Sequence, residues 1–124
     1  ILRGGKLPNY AAADVDAACA LLKSAGLREQ VMVDVSHANS SKQHQKQIEV
    51  AANVAQQIAA GDQRITGLMV ESHLEEGRQD IVPGQPLKVG VSVTDACISM
   101  AQTVPVLEGL AAAVRTRRAA AQVG

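Results

Sequence analysis

The stretch Val31–Lys42, VMVDVSHANSSK, decides how the rest of the chain is read. Its first five residues are rich in valine, the composition of a strand buried on both faces. Small polar residues follow, namely Ser36, His37, Asn39, Ser40 and Ser41, and a helical pattern opens at Lys42. A buried strand that feeds a helix through a short polar turn is the first half of a βαβ unit. In α/β folds such turns lie at the carboxyl end of the sheet, where ligands bind. A histidine in that turn is a candidate for chemistry.

The same grammar repeats on both sides. Ile1–Leu2 reads as a strand end, followed by an Arg3-Gly4-Gly5 turn and a loop through Pro8-Asn9-Tyr10. Asp14 to Ala25 carries Val15, Ala18, Cys19 and Leu22 at helical period, with Gly26 closing it. Downstream, Gln43 to Ala60 places Ile48, Ala51, Ala52, Ala55 and Ile58 on one stripe, and Gly61 ends the helix. Ile65 to Val70 is a third strand, broken by Gly67 and ending at Glu71-Ser72-His73. The segment Gly77 to Ser92, with Pro83-Gly84 and Pro86, is too rich in turn residues for regular structure. Thr94-Asp95 is expected to cap a short apolar helical stretch. A last helix is expected from Pro105 to Arg118, its Arg115, Arg117 and Arg118 suiting the negative end of the helix dipole.

The reading is a single α/β domain over residues 1–124, built of three βα units. Three parallel strands cannot close a barrel, and a (β/α)₈ barrel needs about 250 residues. Lys plus Arg and Asp plus Glu both total 12. That balance gives no electrostatic footprint for nucleic acid or an anionic membrane. No apolar run approaches the roughly 18 residues of a spanning helix. Cys19 and Cys97 lack metal-type spacing, so free thiols in the cytoplasm are expected. Tyr10 is the one aromatic residue, and the core must be built from aliphatic side chains. The chain begins at Ile1, within a strand. Domains seldom start there, so these residues are expected to belong to a longer polypeptide.

Arg3, His37 and Glu71 stand at successive strand ends, each 34 residues from the next, and Asp95 follows 24 residues later. Equal spacing at the period of the repeat puts the first three on one rim. An imidazole nitrogen with two carboxylates suits a divalent cation such as Mn²⁺, Fe²⁺, Co²⁺ or Zn²⁺. The Arg3 guanidinium suits bidentate binding of phosphate or carboxylate. Plainer readings stand beside these. His37 alone is more often structural than ligating, Glu71 pairs with Arg3, and Asp95 is an N-cap. Asp34 is a hydrogen-bonded structural carboxylate, Lys42 is a solvated charge, and His44 lies unused on the polar face of a helix. His73 is left open. The shared phase favours the functional reading.

Four segments, ILRGGKLPNY, VMVDVSHANSSKQ, GLMVESHLEEG and VTDACIS, closely resemble the carboxyl-terminal part of class I 3-deoxy-D-arabino-heptulosonate 7-phosphate (DAHP) synthase. The likeness is to its microbial, feedback-regulated branch, and it covers essentially the whole chain. The resemblance implies the last three βα units of a (β/α)₈ barrel, present as a partial barrel. It also implies a metal-dependent transferase that joins phosphoenolpyruvate to erythrose 4-phosphate at the entry to the shikimate pathway. Carried over by motif, Arg3 of LRGG would bind the phosphoenolpyruvate phosphate. His37 of SHANS, Glu71 of VESH and Asp95 of TDAC would hold the metal, and His37 would also touch substrate. The family's fourth ligand, a cysteine on an early strand, matches neither Cys19 nor Cys97. The Lys-Pro-Arg segment that grips substrate is absent, as is the region where aromatic amino acids bind. The chain by itself is therefore expected to be inactive. With strand edges open it is expected to form a homo-oligomer, and the loop Gly77–Ser92 is expected to be mobile. The competing reading is a free-standing metal- or phosphate-binding module without catalysis.

Overall fold

In the computed structural model, residues 1–123 are described; Gly124, the last residue of the expected domain, lies outside them. The elements run α1 (Ala12–Ser24), β1 (Val31–Asp34), α2 (Lys46–Ala59), β2 (Ile65–Met69) and α3 (Met100–Val123), with one 3₁₀ turn at His37–Ser40. β1 and β2 are parallel, with Val31 opposite Ile65, Val33 opposite Leu68 and Asp34 opposite Met69. The register slips between Val31 and Met32. The architecture is thus α/β around a small parallel sheet.

The expected first strand shrinks to one residue. Leu2 bridges Val33 in parallel, donating its N–H to Met32 at 2.9 Å and accepting that of Asp34 at 2.8 Å. The chain then turns away because Gly4 adopts φ +79°, with its N–H on the Asn9 side chain at 2.7 Å. A Cβ on Gly4 would stand 2.7 Å from Cβ of Ala38, so the turn is closed against the His37–Ser40 segment. Asn39 ties the two together. Its amide donates to the carbonyls of Leu2 and Asp34 at 3.1 and 2.8 Å and accepts the Asn9 N–H at 2.7 Å.

The core is aliphatic, as the composition requires. Val15 and Cys19 of α1, Val31, Val33 and Val35, Val50, Val54 and Ile58 of α2, Ile65, Ile98 and Val106 of α3 are all buried in one cluster. Met32, between two buried valines, is 36 % exposed. β1 is therefore not buried on both faces: helices cover the side bearing Val31 and Val33, while no described element seals the other at Met32. The buried face of α2 is Gln47, Val50, Ala51, Val54 and Ile58, rotated from the expected stripe. Ile48, Ala52 and Ala55 instead line an open apolar groove of about 410 Å³ against Pro105 and Leu110 of α3.

The last helix starts five residues earlier than expected. Ser99 accepts the Gln102 N–H at 3.1 Å through its hydroxyl, and Gln102 accepts the Ser99 N–H at 2.8 Å. This reciprocal capping box fixes the start, and Pro105 falls inside the helix. No helix begins at Thr94-Asp95, which removes the N-cap reading of Asp95. Nor do the arginines sit in the last turn. Arg117 reaches back to the carbonyls of Asp62 and Ile65, at 2.8 and 3.2 Å. The segment 77–92 has no helix or strand, as expected. It is nonetheless stitched internally, Gln79 bonding Lys88 in both directions and donating to Val91. Both cysteines are buried and unpaired, and burial pushes each thiol above its ordinary pKa. No helix among the described residues is long and apolar enough to cross a membrane.

Candidate metal centre

β1 ends at Asp34, and the chain runs through Val35 and Ser36 into the 3₁₀ turn that carries His37. Three non-glycine residues here adopt left-handed backbone: His37 (φ 51°), Ser41 (φ 53°) and Lys42 (φ 59°). Such residues cost about 1 kcal/mol each and persist where surrounding bonds over-determine them. Those bonds are present. The His37 carbonyl accepts the Lys42 N–H at 2.9 Å and the Ser40 hydroxyl at 3.2 Å. The His37 Nδ1 lies 2.8 Å from Oδ2 of Asp34. Asp34 is buried, its other carboxylate oxygen accepting the Ser36 N–H at 2.8 Å, in keeping with a structural carboxylate.

With Nδ1 engaged, Nε2 of His37 faces a gap. Oε1 of Glu71 lies 3.9 Å away and Oδ2 of Asp95 lies 4.0 Å away. The three residues each offer one ligand atom that lies within 4.8 Å of the other two. A divalent ion bonded at about 2.1 Å holds neighbouring donors roughly 3.0–3.4 Å apart. Closing the set therefore takes an inward shift of about an ångström or less. Asp95, whose side chain is 69 % exposed, has the freedom to supply it. One nitrogen and two carboxylate oxygens are a donor set that first-row divalent ions accept. The residues present fit a metal.

Glu71 is held more firmly than its neighbours. Gln47, fully buried on α2, accepts the Glu71 N–H at 2.8 Å and donates to the Glu71 carbonyl at 3.1 Å. The Ser36 hydroxyl donates to the Glu71 carboxylate. The sequence reading missed both positions. A signal was present for Gln47, the one polar side chain in phase with Val50, Ala51, Val54 and Ile58. A polar residue on a buried stripe needs partners.

The gap opens into a cavity of about 300 Å³ that Lys42, His44 and Arg78 also line. His44 is in the turn before α2 rather than on a helix face, and its Nε2 lies 2.9 Å from Glu76. Bonds from Gln45 and His44 hold the Glu76 carboxyl below its usual pKa. Lys42 is exposed, as a solvated charge would be. His73 is exposed too, its Nδ1 accepting the Leu74 N–H at 2.8 Å, and does not line the cavity. Arg3 follows the Leu2 bridge, beside the carboxyl end of β1. It is exposed and does not line the cavity, and the described ion pairs within 4.0 Å include none between Arg3 and Glu71. The plainer alternative, Glu71 as the partner of Arg3, is not met, and the Ser36 hydroxyl bonds the Glu71 carboxylate instead. The structure brings together His37, Glu71 and Asp95, and leaves Arg3 outside that group.

Known proteins resemble this chain over nearly all of its length. The chain is 56 % identical over 118 residues to the Phe-sensitive phospho-2-dehydro-3-deoxyheptonate aldolase of Escherichia coli K12, covering 95 % of this chain and 34 % of the relative. It is 54 % identical over 123 residues to the tyrosine-inhibited aldolase of the same name from Schizosaccharomyces pombe, covering 95 % and 33 %. A solved structure of phospho-2-dehydro-3-deoxyheptonate aldolase from Francisella tularensis superposes with a TM-score of 0.88 at 46 % identity, over 93 % of this chain and 33 % of that one. The chain spans about a third of the length of the relatives it matches. Residues 1–108 match the model of the DAHP synthetase I family, and the chain belongs to that family.

Proposed function

We propose that residues 1–124 are the carboxyl-terminal third of a DAHP synthase and supply the last three βα units of its (β/α)₈ barrel. In this reading the whole enzyme works in the cytoplasm. It condenses phosphoenolpyruvate with erythrose 4-phosphate to 3-deoxy-D-arabino-heptulosonate 7-phosphate and phosphate, the first step toward the aromatic amino acids. The observation that carries the reading is the approach of one ligand atom each from His37, Glu71 and Asp95 to within 4.8 Å of one another, in a chain of this family.

His37, Glu71 and Asp95 are the residues that would hold a divalent ion, Mn²⁺, Fe²⁺, Co²⁺ or Zn²⁺. Such an ion, when bound, supplies Lewis-acid polarisation of the aldehyde carbonyl. Gln47 and Ser36 keep the Glu71 carboxylate aimed at the gap, and His37 also touches substrate. Arg3, planar and permanently charged, binds the phosphate of phosphoenolpyruvate from the neighbouring edge. One edge of the sheet ends at the Leu2 bridge and the other at β2, so unpaired backbone groups favour a homo-oligomer. The 124 residues alone lack turnover, because most of the substrate-binding surface lies elsewhere in the enzyme.

Calorimetric titration of the purified chain with Mn²⁺ tests this. Binding is expected, weakened at least about tenfold by Glu71→Gln, with no product formed from the two substrates. Titrations that Glu71→Gln leaves unchanged would overturn the assigned ligands. Turnover by the chain alone would overturn its inactivity, and a stable monomer by light scattering would overturn the oligomer.

A further inference from the structure

We propose that Asp34 is a positioning residue that selects the tautomer of His37, leaving Nε2 as a bare donor facing Glu71 and Asp95. An ionised carboxylate carries no hydrogen, so it can only accept. The hydrogen in the 2.8 Å contact between Oδ2 of Asp34 and Nδ1 of His37 therefore comes from the imidazole. Neutral imidazole has one N–H, and once that sits on Nδ1 the lone pair is on Nε2. The Asp34 carboxylate cannot swing away. It is 4 % exposed, and its second oxygen is committed to the Ser36 N–H at 2.8 Å. That N–H belongs to the backbone and offers nothing but a donor. Both oxygens of Asp34 thus face donors, and the imidazole is locked by a group three residues earlier in the chain.

The lock has a sharp consequence for one nearly isosteric substitution. In Asp34→Asn the amide has a single oxygen. The fixed Ser36 N–H claims it, which turns the amide N–H₂ toward Nδ1 of His37. Two donors cannot face each other, so Nδ1 must present its lone pair and the hydrogen moves to Nε2. The same logic operates where an Asn replaces the buried Asp behind a catalytic histidine. An Nε2 that bears hydrogen cannot bond a cation. The tautomer assignment stands by itself; its consequence for an ion rests on the metal reading above.

The test has two arms on the full 124-residue chain. Nitrogen-15 NMR of the imidazoles without metal, recorded at rising pH until the shifts no longer change and the rings are neutral, reads the tautomer directly. Loss of signals in His44→Gln and His73→Gln assigns the remaining resonance to His37. The expected result is hydrogen on Nδ1 in the wild type and on Nε2 in Asp34→Asn. Calorimetry with Mn²⁺ is expected to show the substitution weakening binding about 10–100-fold. Hydrogen on Nε2 in the wild type, or a tautomer that Asp34→Asn leaves unchanged, would overturn the proposal. Should the variant fail to fold, the wild-type spectrum still decides. A wild type with hydrogen on Nδ1 that binds no Mn²⁺ would sustain the tautomer assignment and sink the metal reading.

Discussion

Gly4 has two separate reasons to lack a side chain. Its φ of +79° lies where a Cβ is strained, and a Cβ there would stand 2.7 Å from Cβ and 2.9 Å from the carbonyl carbon of Ala38. Ala38 is inside the turn that carries His37, so relief of the overlap has to push on that turn or on Leu2. Gly4→Ala is therefore expected to destabilise the fold by about 2 kcal/mol or more, read as a lower urea midpoint. Gly5→Ala, one residue on and with nothing within 4 Å, is the control and is expected to cost far less. Equal effects at the two positions would contradict the account. At this scale the sequence is informative about chemistry and says little about support. His37, Glu71 and Asp95 could be picked out because imidazole and carboxylates are rare after apolar runs. Gln47 stood out only as the one polar residue in phase with a buried stripe, and neither its partner nor that of Ser36 could be read, because a bond to the Glu71 backbone or carboxylate across 24 or 35 positions leaves no local pattern.

Elements were legible where a stripe of apolar residues ran long, and misread where a single residue type stood in for a cap. The sequence reading starts the last helix at Pro105, a residue that the first turn of a helix tolerates. The actual start is the Ser99–Gln102 box, whose signature of Ser followed three residues later by Gln was present and outranked by the proline. Pro105 is tolerated because it and Ala101, whose carbonyl loses a partner, are both exposed. The box should consequently matter more here than in a helix without an internal proline. Ser99→Ala removes the hydroxyl that accepts the Gln102 N–H and is expected to cost about 1 kcal/mol. Thermal unfolding followed by circular dichroism should show the loss, and Ser99→Asp should restore it. At Leu2 the sequence predicts a strand and the structure has a single-residue bridge, for the opposite reason. Two apolar residues before Arg3-Gly4-Gly5 carry no period, and only their hydrogen bonds to β1 show how little of them pairs.

For the molecule as a whole, the two ends of the sheet do different work. The carboxyl ends of β1 and β2 carry strained backbone and the converging donors. The amino end of β2 carries the clasp that ties three helices to one turn. Asp62, just past α2, accepts from the Arg64 backbone N–H at 2.9 Å and from its guanidinium at 3.0 and 2.9 Å. Arg64 also reaches Asp16 of α1 at 2.5 Å, and Arg117 of α3 closes on the Asp62 carbonyl. The Arg64 guanidinium holds the Asp62 carboxyl below the ordinary carboxylate range and is itself pushed further up by Asp62 and Asp16. A carboxyl whose pKa is lower in the folded chain binds its proton more readily when unfolded. Its contribution is therefore complete above the unfolded value of about 4 and is lost as pH falls through the lower folded value. Asp62→Asn is accordingly expected to cost about 1–2 kcal/mol at pH 7. That difference from the wild type should narrow steadily below pH 4, as the wild-type carboxyl takes up the proton that the amide never needed. Urea unfolding of both chains between pH 7 and pH 2.5 measures it. A difference that stays constant over that range would mean the clasp works through shape alone, and that the charge on Asp62 contributes nothing to holding α1, α2 and α3 to the sheet.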